Sequence, residues 1–422
     1  VTIVVVDDST TQRRFIRAAI ALDPLLEVVG EARTGRDAIA LVERLRPSAV
    51  IMDLHLPVMN GIQAIERIMA SRPTPIVVYS SFVDGMDQAN AASAYAAGAV
   101  DVMAKPGPHD SGRLEEYAVK LRQRLRVAGR VRVITHPRGR LGISDSALTT
   151  LRLGGGPATR ERGAAAGRPL VPAQPSAPSR TTPADRPRRS SRSVTAASIE
   201  RRPVEVLAIG ASTGGPQALA SLLAGIPAVA TASVVVVQHM ADGFMEGLAA
   251  WLNGVCPLPV VLGASGQRLE PGTVTIAPSG LNLVVHDRLR VTTTPPAAGQ
   301  YHVPGIDATF TSVAKAYGAT AVGVLLTGMG RDGAQGLKCI RDSGGLTIGQ
   351  DESTSAVYGM PAAAMSADAV EFQLPLPEIC AAVRHLLLTD LGAPADSGAV
   401  PLADTSVASP ADSGPANPGE LR

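Results

Sequence analysis

A chain of 422 residues is long enough for two or three domains that each bury their own core, and its 45% apolar content is that of a globular protein. Aromatics make up only 3% and the formal charge is +2, which excludes base-stacking platforms for single-stranded nucleic acid and any global field for nucleic acid or anionic lipid. Partners must therefore be read from local sites. Residues 1–126 alternate β-branched runs with amphipathic stretches, predicting strands over 2–6, 28–32, 49–52, 76–79 and 100–104 and helices over 10–22, 35–46, 61–69, 86–97 and 111–126. Residues 127–203 dissolve into Arg, Pro, Ser, Gly and Ala, including Arg186, Arg188, Arg189 and Arg192, and read as a flexible linker with a small ordered motif over 131–140. Alternation resumes over 204–390, with strands expected at 205–209, 233–237, 273–276, 321–326 and 346–348 and helices at 216–223, 244–253, 309–317 and 334–342. Residues 391–422 read as a disordered tail.

The three cysteines, Cys256, Cys339 and Cys380, lack metal-type spacing and read as reduced thiols. No basic-then-apolar leader precedes the first strand, so a cytoplasmic protein is expected. The stretch 206–241 carries no Asp, Glu, Lys or Arg, yet Ser212, Thr213, Gly214, Gly215, Pro216, Gly225 and Pro227 interrupt it. That pattern suits buried strands around a helix rather than membrane insertion.

In an open parallel sheet, ligands bind beyond the carboxyl ends of the strands. Asp7 and Asp8 follow the first strand, Asp53 the third and Ser80 the fourth, while Lys105 and Pro106 close the fifth. Any one Asp alone reads best as a helix cap. Together, three close carboxylates demand a divalent cation and a compensating ammonium, for which Mg²⁺ and Lys105 are the candidates. Asp53 is then the phosphoryl acceptor, with Asp7 and Asp8 holding the metal and Ser80 and Lys105 contacting phosphoryl oxygens. The set Val-Asp-Asp-Ser, Met-Asp-Leu-His-Leu-Pro-Val-Met-Asn-Gly, Tyr-Ser-Ser and Ala-Lys-Pro resembles a two-component receiver domain. The resemblance implies a flavodoxin-like fold, phosphorylation of Asp53 by a histidine kinase, and metal contacts through Asp8, Asp53 and the backbone of His55.

In the second α/β domain, Gly210-Ala211-Ser212-Thr213-Gly214 fits Gly-x-Ser-x-Gly between a strand and a helix. Such a turn also suits a phosphate, although the Lys of a P-loop is missing. His239 and Asp332 follow two other strands, so a parallel sheet brings all three to one edge. This predicts a triad in which His239 takes the proton of Ser212 and Asp332 orients the ring. His302 and Asp307 are weaker candidates for the same cleft. Gly-Ala-Ser-Thr-Gly-Gly, Val-Gln-His-Met, Leu-Thr-Gly-Met-Gly-Arg-Asp-Gly-Ala and Gln-Asp-Glu-Ser-Thr-Ser-Ala-Val-Tyr-Gly-Met-Pro are similar to CheB-type methylesterase domains. The resemblance implies a doubly wound, mostly parallel hydrolytic domain without its own cofactor. It also implies hydrolysis of glutamate γ-methyl esters, with deamidation of glutamines, on chemoreceptors, and a kinase of the CheA type as phosphodonor. By the same resemblance Thr213 positions Ser212 and substrate, and the Met329 N–H serves an oxyanion hole. Many relatives carry a His near Asn282, and Pro-Ser-Val-Asp where this chain has Pro304-Gly305-Ile306-Asp307. A phospho-switched binding module without chemistry, and an esterase of small molecules, stand as alternatives.

Overall fold

The computed structural model describes residues 1–80, 86–107, 111–131, 133, 196–240 and 243–388. The linker run over 134–195, most of the 131–140 motif and the tail from 389 onward lie outside the described residues.

Five parallel strands form the first sheet: β1 (Thr2–Val6), β2 (Glu27–Ala32), β3 (Ala49–Met52), β4 (Ile76–Ser80) and β5 (Asp101–Ala104), in the order β2-β1-β3-β4-β5. Ile3, Val4, Val5 and Val6 are fully buried, as expected of a strand covered by helices on both faces. The covering helices are α1 (Thr10–Ala21), α2 (Gly35–Leu45), α3 (Gly61–Ser71), α4 (Met86–Ala97) and α5 (Leu114–Ala128). Ser9, Thr34 and Asn60 cap the first three by accepting from the N–H groups of Gln12, Asp37 and Gln63. The strand order is that of flavodoxin-like sheets, with the winding reversing between β1 and β3. At that reversal Gly61 has a packing reason: a Cβ there would lie 2.1 Å from the Asp53 carbonyl, so only glycine lets α3 start against the end of β3.

The second sheet has seven strands: β6 (Val206–Ala211), β7 (Ser233–Gln238), β8 (Val260–Leu262), β9 (Val274–Ile276), β12 (Ala321–Leu325), β13 (Leu346–Gln350) and β14 (Phe372–Leu374). They run in the order β14-β13-β12-β6-β7-β9-β8, and every pairing is parallel. Helices α6 (Gly215–Ala224), α7 (Met245–Asn253), α8 (Ile306–Tyr317), α9 (Ala334–Asp342), α10 (Met360–Ser366) and α11 (Leu376–Leu387) cover it. The chain leaves β6 for β7 on one side and returns to β12 on the other, which makes the end of β6 the switch point. An antiparallel hairpin, β10 (Asn282–His286) with β11 (Arg290–Thr294), stands apart from the sheet and was not anticipated from the sequence. Ala196 and Ile199, in the stretch read as linker, are buried in the core of this domain, and the Ala196 N–H donates to Glu378 of α11.

The two halves meet through α4 and α7. Tyr95 stacks on Trp251 with ring centroids 6.4 Å apart and planes 16° from parallel. The Gln217 side chain donates to the Tyr95 carbonyl. Phe244, Met240 and Trp251 pack with the apolar cluster of the first domain that includes Ala94 and Tyr95. No helix among the described residues is long and apolar enough to cross a membrane.

Candidate active site and phosphoacceptor pocket

On the rim of the first sheet the carboxylates of Asp7, Asp8 and Asp53 come together, with oxygens that lie within 4.8 Å of one another. Lys105 reaches across from β5, and its Nζ lies 2.7 Å from both Asp7 Oδ2 and Asp53 Oδ2. Only the contact to Asp53 is aligned as a hydrogen bond. Burial works against the charge on Lys105, but Asp53 and Asp7 outweigh it and hold the ammonium above its ordinary pKa. Burial pushes the Asp7 carboxyl up despite Lys105, and Asp53 adds to the rise. Three carboxylates facing one ammonium leave two negative charges uncompensated, and Asp7 Oδ2 is buried without an aligned donor among the described residues. The pocket therefore fits a divalent cation. The His55 N–H lies 3.4 Å from Asp53 Oδ1, and the Ser80 hydroxyl is buried at the end of β4 with no hydrogen-bond partner among the described residues. One contributor escaped the sequence reading. Arg13, 8% exposed, donates from Nη1 to the carbonyls of Asp7 and Asp8 at 2.7 and 3.1 Å and pairs with Glu31, which fixes the acidic turn from beneath.

At the second sheet, the paired ends of β6 and β7 deliver Ser212 and His239. Ala211 lies opposite Gln238, and each candidate is the next residue in its chain. The His239 N–H donates to the Ala211 carbonyl at 2.9 Å. Gln238, 1% exposed, ties the turn together, because its Nε2 donates to the carbonyls of Ser212 and His239 at 2.8 and 2.9 Å. This clasp was missed from sequence; its one signal is a Gln closing an otherwise apolar strand. Gly214, at φ 76°, caps α6, and a Cβ there would lie 2.4 Å from that of Ala356. Helix α6 thus begins three residues after Ser212, which brings the positive end of its dipole to the Ser212 turn.

Asp332, on the loop after β12, contacts His239 Nε2 through Oδ2 at 2.8 Å. Its carboxylate also accepts from the N–H groups of Ile306 at 2.8 Å and of Asp307 and Gly333 at 3.0 Å. Burial raises the Asp332 pKa, but the His239 contact and these backbone donors outweigh it and bring the carboxyl down to about 2. Burial pushes the neighbouring Asp307 up to about 6, and the Asp332 charge adds to the rise although the Gly336 N–H opposes it. The Ser212 hydroxyl is not hydrogen-bonded to the imidazole, whose Nδ1 is buried and has no partner among the described residues. Gly328 packs directly on Ser212, where a Cβ would come within 2.7 Å of the Ser212 Cβ, and carries the chain into the exposed Met329. The N–H groups of Thr213 and Met329 donate to no other described residue. His302 and Asp307 both reach this edge: His302 stacks on His239, and the Asp307 N–H binds Asp332.

A phosphoacceptor-type receiver joined to an α/β domain with a Ser, a His and an Asp at its switch point is the plan of a response regulator with an enzymatic output. The comparisons with known proteins agree. The family model of the response regulator receiver domain matches residues 3–116, and that of the CheB methylesterase matches residues 207–383. A protein-glutamate methylesterase/protein-glutamine glutaminase of Paramagnetospirillum magneticum is 37% identical over 393 residues, covering 93% of this chain and 98% of its own. Another, of Anaeromyxobacter dehalogenans, is 39% identical over 384 residues, covering 91% and 96%. The crystal structure of the Thermotoga maritima CheB methylesterase catalytic domain aligns at 32% identity over 43% of this chain and 98% of that one, with a TM-score of 0.42. The chain belongs to the CheB family of protein-glutamate methylesterases/protein-glutamine glutaminases.

Proposed function

We propose that this protein hydrolyses glutamate γ-methyl esters, and deamidates glutamines, on chemoreceptors, through a covalent intermediate on Ser212 and under the control of phosphorylation at Asp53. The contact between His239 and Asp332 beside the Ser212 turn carries this reading. Ser212 Oγ attacks the ester carbonyl while His239 accepts its proton. Because Nε2 is engaged by Asp332, the accepting atom is Nδ1. The tetrahedral oxyanion is met by the N–H groups of Thr213 and Met329 and by the α6 dipole. The imidazolium then gives its proton to the departing methoxide, releasing methanol; a glutamine releases ammonia instead. Water, deprotonated by the same imidazole, attacks the acyl-enzyme and frees the glutamate and Ser212.

At the receiver, Asp8, Asp53 and the backbone of His55, with Asp7 behind them, would hold Mg²⁺, which when bound neutralises the carboxylates and orients phosphoryl oxygens. Asp53 takes the phosphoryl group from a histidine kinase of the CheA type, and Ser80 and Lys105 receive its oxygens. Helix α4 follows β4, which ends at Ser80, and its Tyr95 stacks on α7, the helix after His239. That continuity supports a resting state in which the receiver restrains the hydrolytic edge and phosphorylation releases it. Both partners put the site of action in the cytoplasm. Methanol release from carboxyl-methylated receptor membranes tests the reading: turnover that survives Ser212→Ala sinks it.

A further inference from the structure

The ring of His302 lies flat on that of His239, with centroids 4.7 Å apart and planes 7° from parallel. The chain around it is tied on both sides. Asn282 and Gln300 exchange two amide hydrogen bonds of 2.9 and 2.8 Å. Gln300 Nε2 also donates to the His302 carbonyl at 2.7 Å, and Asn282 Oδ1 accepts from the Gly305 N–H at 2.7 Å. A Cβ on Gly305 would come within 2.5 Å of Gln300 Nε2, so the clasp closes only over glycine. Asn282 is 4% exposed, and both ends of this amide pair are spent on the loop that carries His302. His302 itself is exposed and belongs to no apolar core, so the clasp is not needed to bury it. What the clasp fixes is the placement of a ring.

We propose that His302 is a positioning residue: its clasped ring backs the His239 imidazole, keeps Nε2 on Asp332 with Nδ1 free to take a proton, and stabilises the imidazolium formed in the reaction. The inference rests on reading Ser212, His239 and Asp332 as the catalytic set. A charged ring is attracted to the face of a neutral aromatic neighbour, and a stacked neighbour also removes the ring's freedom to tilt. Partial desolvation where the His302 ring is covered, together with the adjacent His239, lowers the His302 pKa against the pull of Asp332, which favours the neutral form of the backing ring.

The test uses the full chain and methanol release from carboxyl-methylated receptor membranes, with kcat and KM measured for the parent, His302→Ala, His302→Phe and Gln300→Ala. His302→Ala should lower kcat about tenfold with KM within about twofold, His302→Phe should restore kcat to within about threefold of the parent, and Gln300→Ala should fall between them. A parent-like kcat in His302→Ala, a change confined to KM, or a His302→Phe variant as slow as His302→Ala overturns the proposal. Ser212→Ala, run in parallel, separates the two layers of argument. If it is inactive while the His302 variants are parent-like, only the positioning role falls; if it retains turnover, the catalytic set falls with it.

Discussion

His239 offers Nε2, not Nδ1, to Asp332, at 2.8 Å. The ring is thereby turned so that the nitrogen nearer the backbone is the one left for proton transfer, and the carboxylate that turns it is itself held by three backbone N–H groups, two of them opening α8. The orientation depends on Asp332 being an acceptor only.

Asp332→Asn introduces an amide that can donate to Nε2, favouring the tautomer with its proton on Nδ1, which cannot then accept one from Ser212. The expected loss in kcat for methyl-ester hydrolysis is about a thousandfold or more, with KM little changed. Steady-state methanol release gives both constants, and a loss of under tenfold would count against the assigned roles.

The raised pKa of Asp307 has a signed consequence for stability. A carboxyl pushed up to about 6 in the folded chain contributes stability that is present below its unfolded value of about 3.8 and lost as pH rises through about 6. Asp307→Asn removes that loss while keeping an acceptor for the Gly336 N–H. The variant should melt higher than the parent at pH 7.5 and lose this advantage toward pH 4.5. An advantage of equal size at both pH values would show that the carboxyl does not titrate as described.

Lys105 is the buried cation between Asp7 and Asp53, its side chain 8% exposed. Lys105→Met leaves two buried carboxylates without it and should destabilise the receiver by about 3–5 kcal/mol in EDTA. Added Mg²⁺ should recover more melting temperature in the variant than in the parent, since a dication answers the same charge. Equal Mg²⁺ responses in calorimetry would disprove the shared-compensation argument.

Tyr95 and Trp251 join the two halves by stacking. If this contact restrains the resting enzyme, Tyr95→Ala and Trp251→Ala should each raise the unphosphorylated rate about twofold to tenfold, and the double variant should gain less than the product of the two. Basal rates that multiply independently would show that the stack plays no part in restraint.

The fold was legible where burial on both faces of a sheet imposes unbroken apolar runs: β1, β3, β6 and β7 all announce themselves this way. Their polar successors, Asp7, Asp53, Ser212 and His239, were legible for the same reason, since the end of such a run is the end of a strand. The β10–β11 hairpin was not, because Thr292, Thr293 and Thr294 carry no apolar alternation and its pairing is outside the sheet. Ile199 sits among Arg and Ser in sequence, and its burial is decided by α11 nearly two hundred residues away. His302 and Asp307 fell between these cases. Their roles come from a side-chain clasp between Asn282 and Gln300 and from the start of α8, contacts that no local pattern encodes.

The clasp formed by Gln238 spans the ends of two neighbouring strands, so the spacing between nucleophile and base is set by the hydrogen-bonded ladder beneath them rather than by a loop. Heat inactivation should accordingly coincide with the cooperative melting of the second sheet, without a milder phase in which activity drains away while the protein stays folded. Selection or engineering for thermal tolerance would then find little to gain at the nucleophile turn, and most to gain in the helices that clad the sheet.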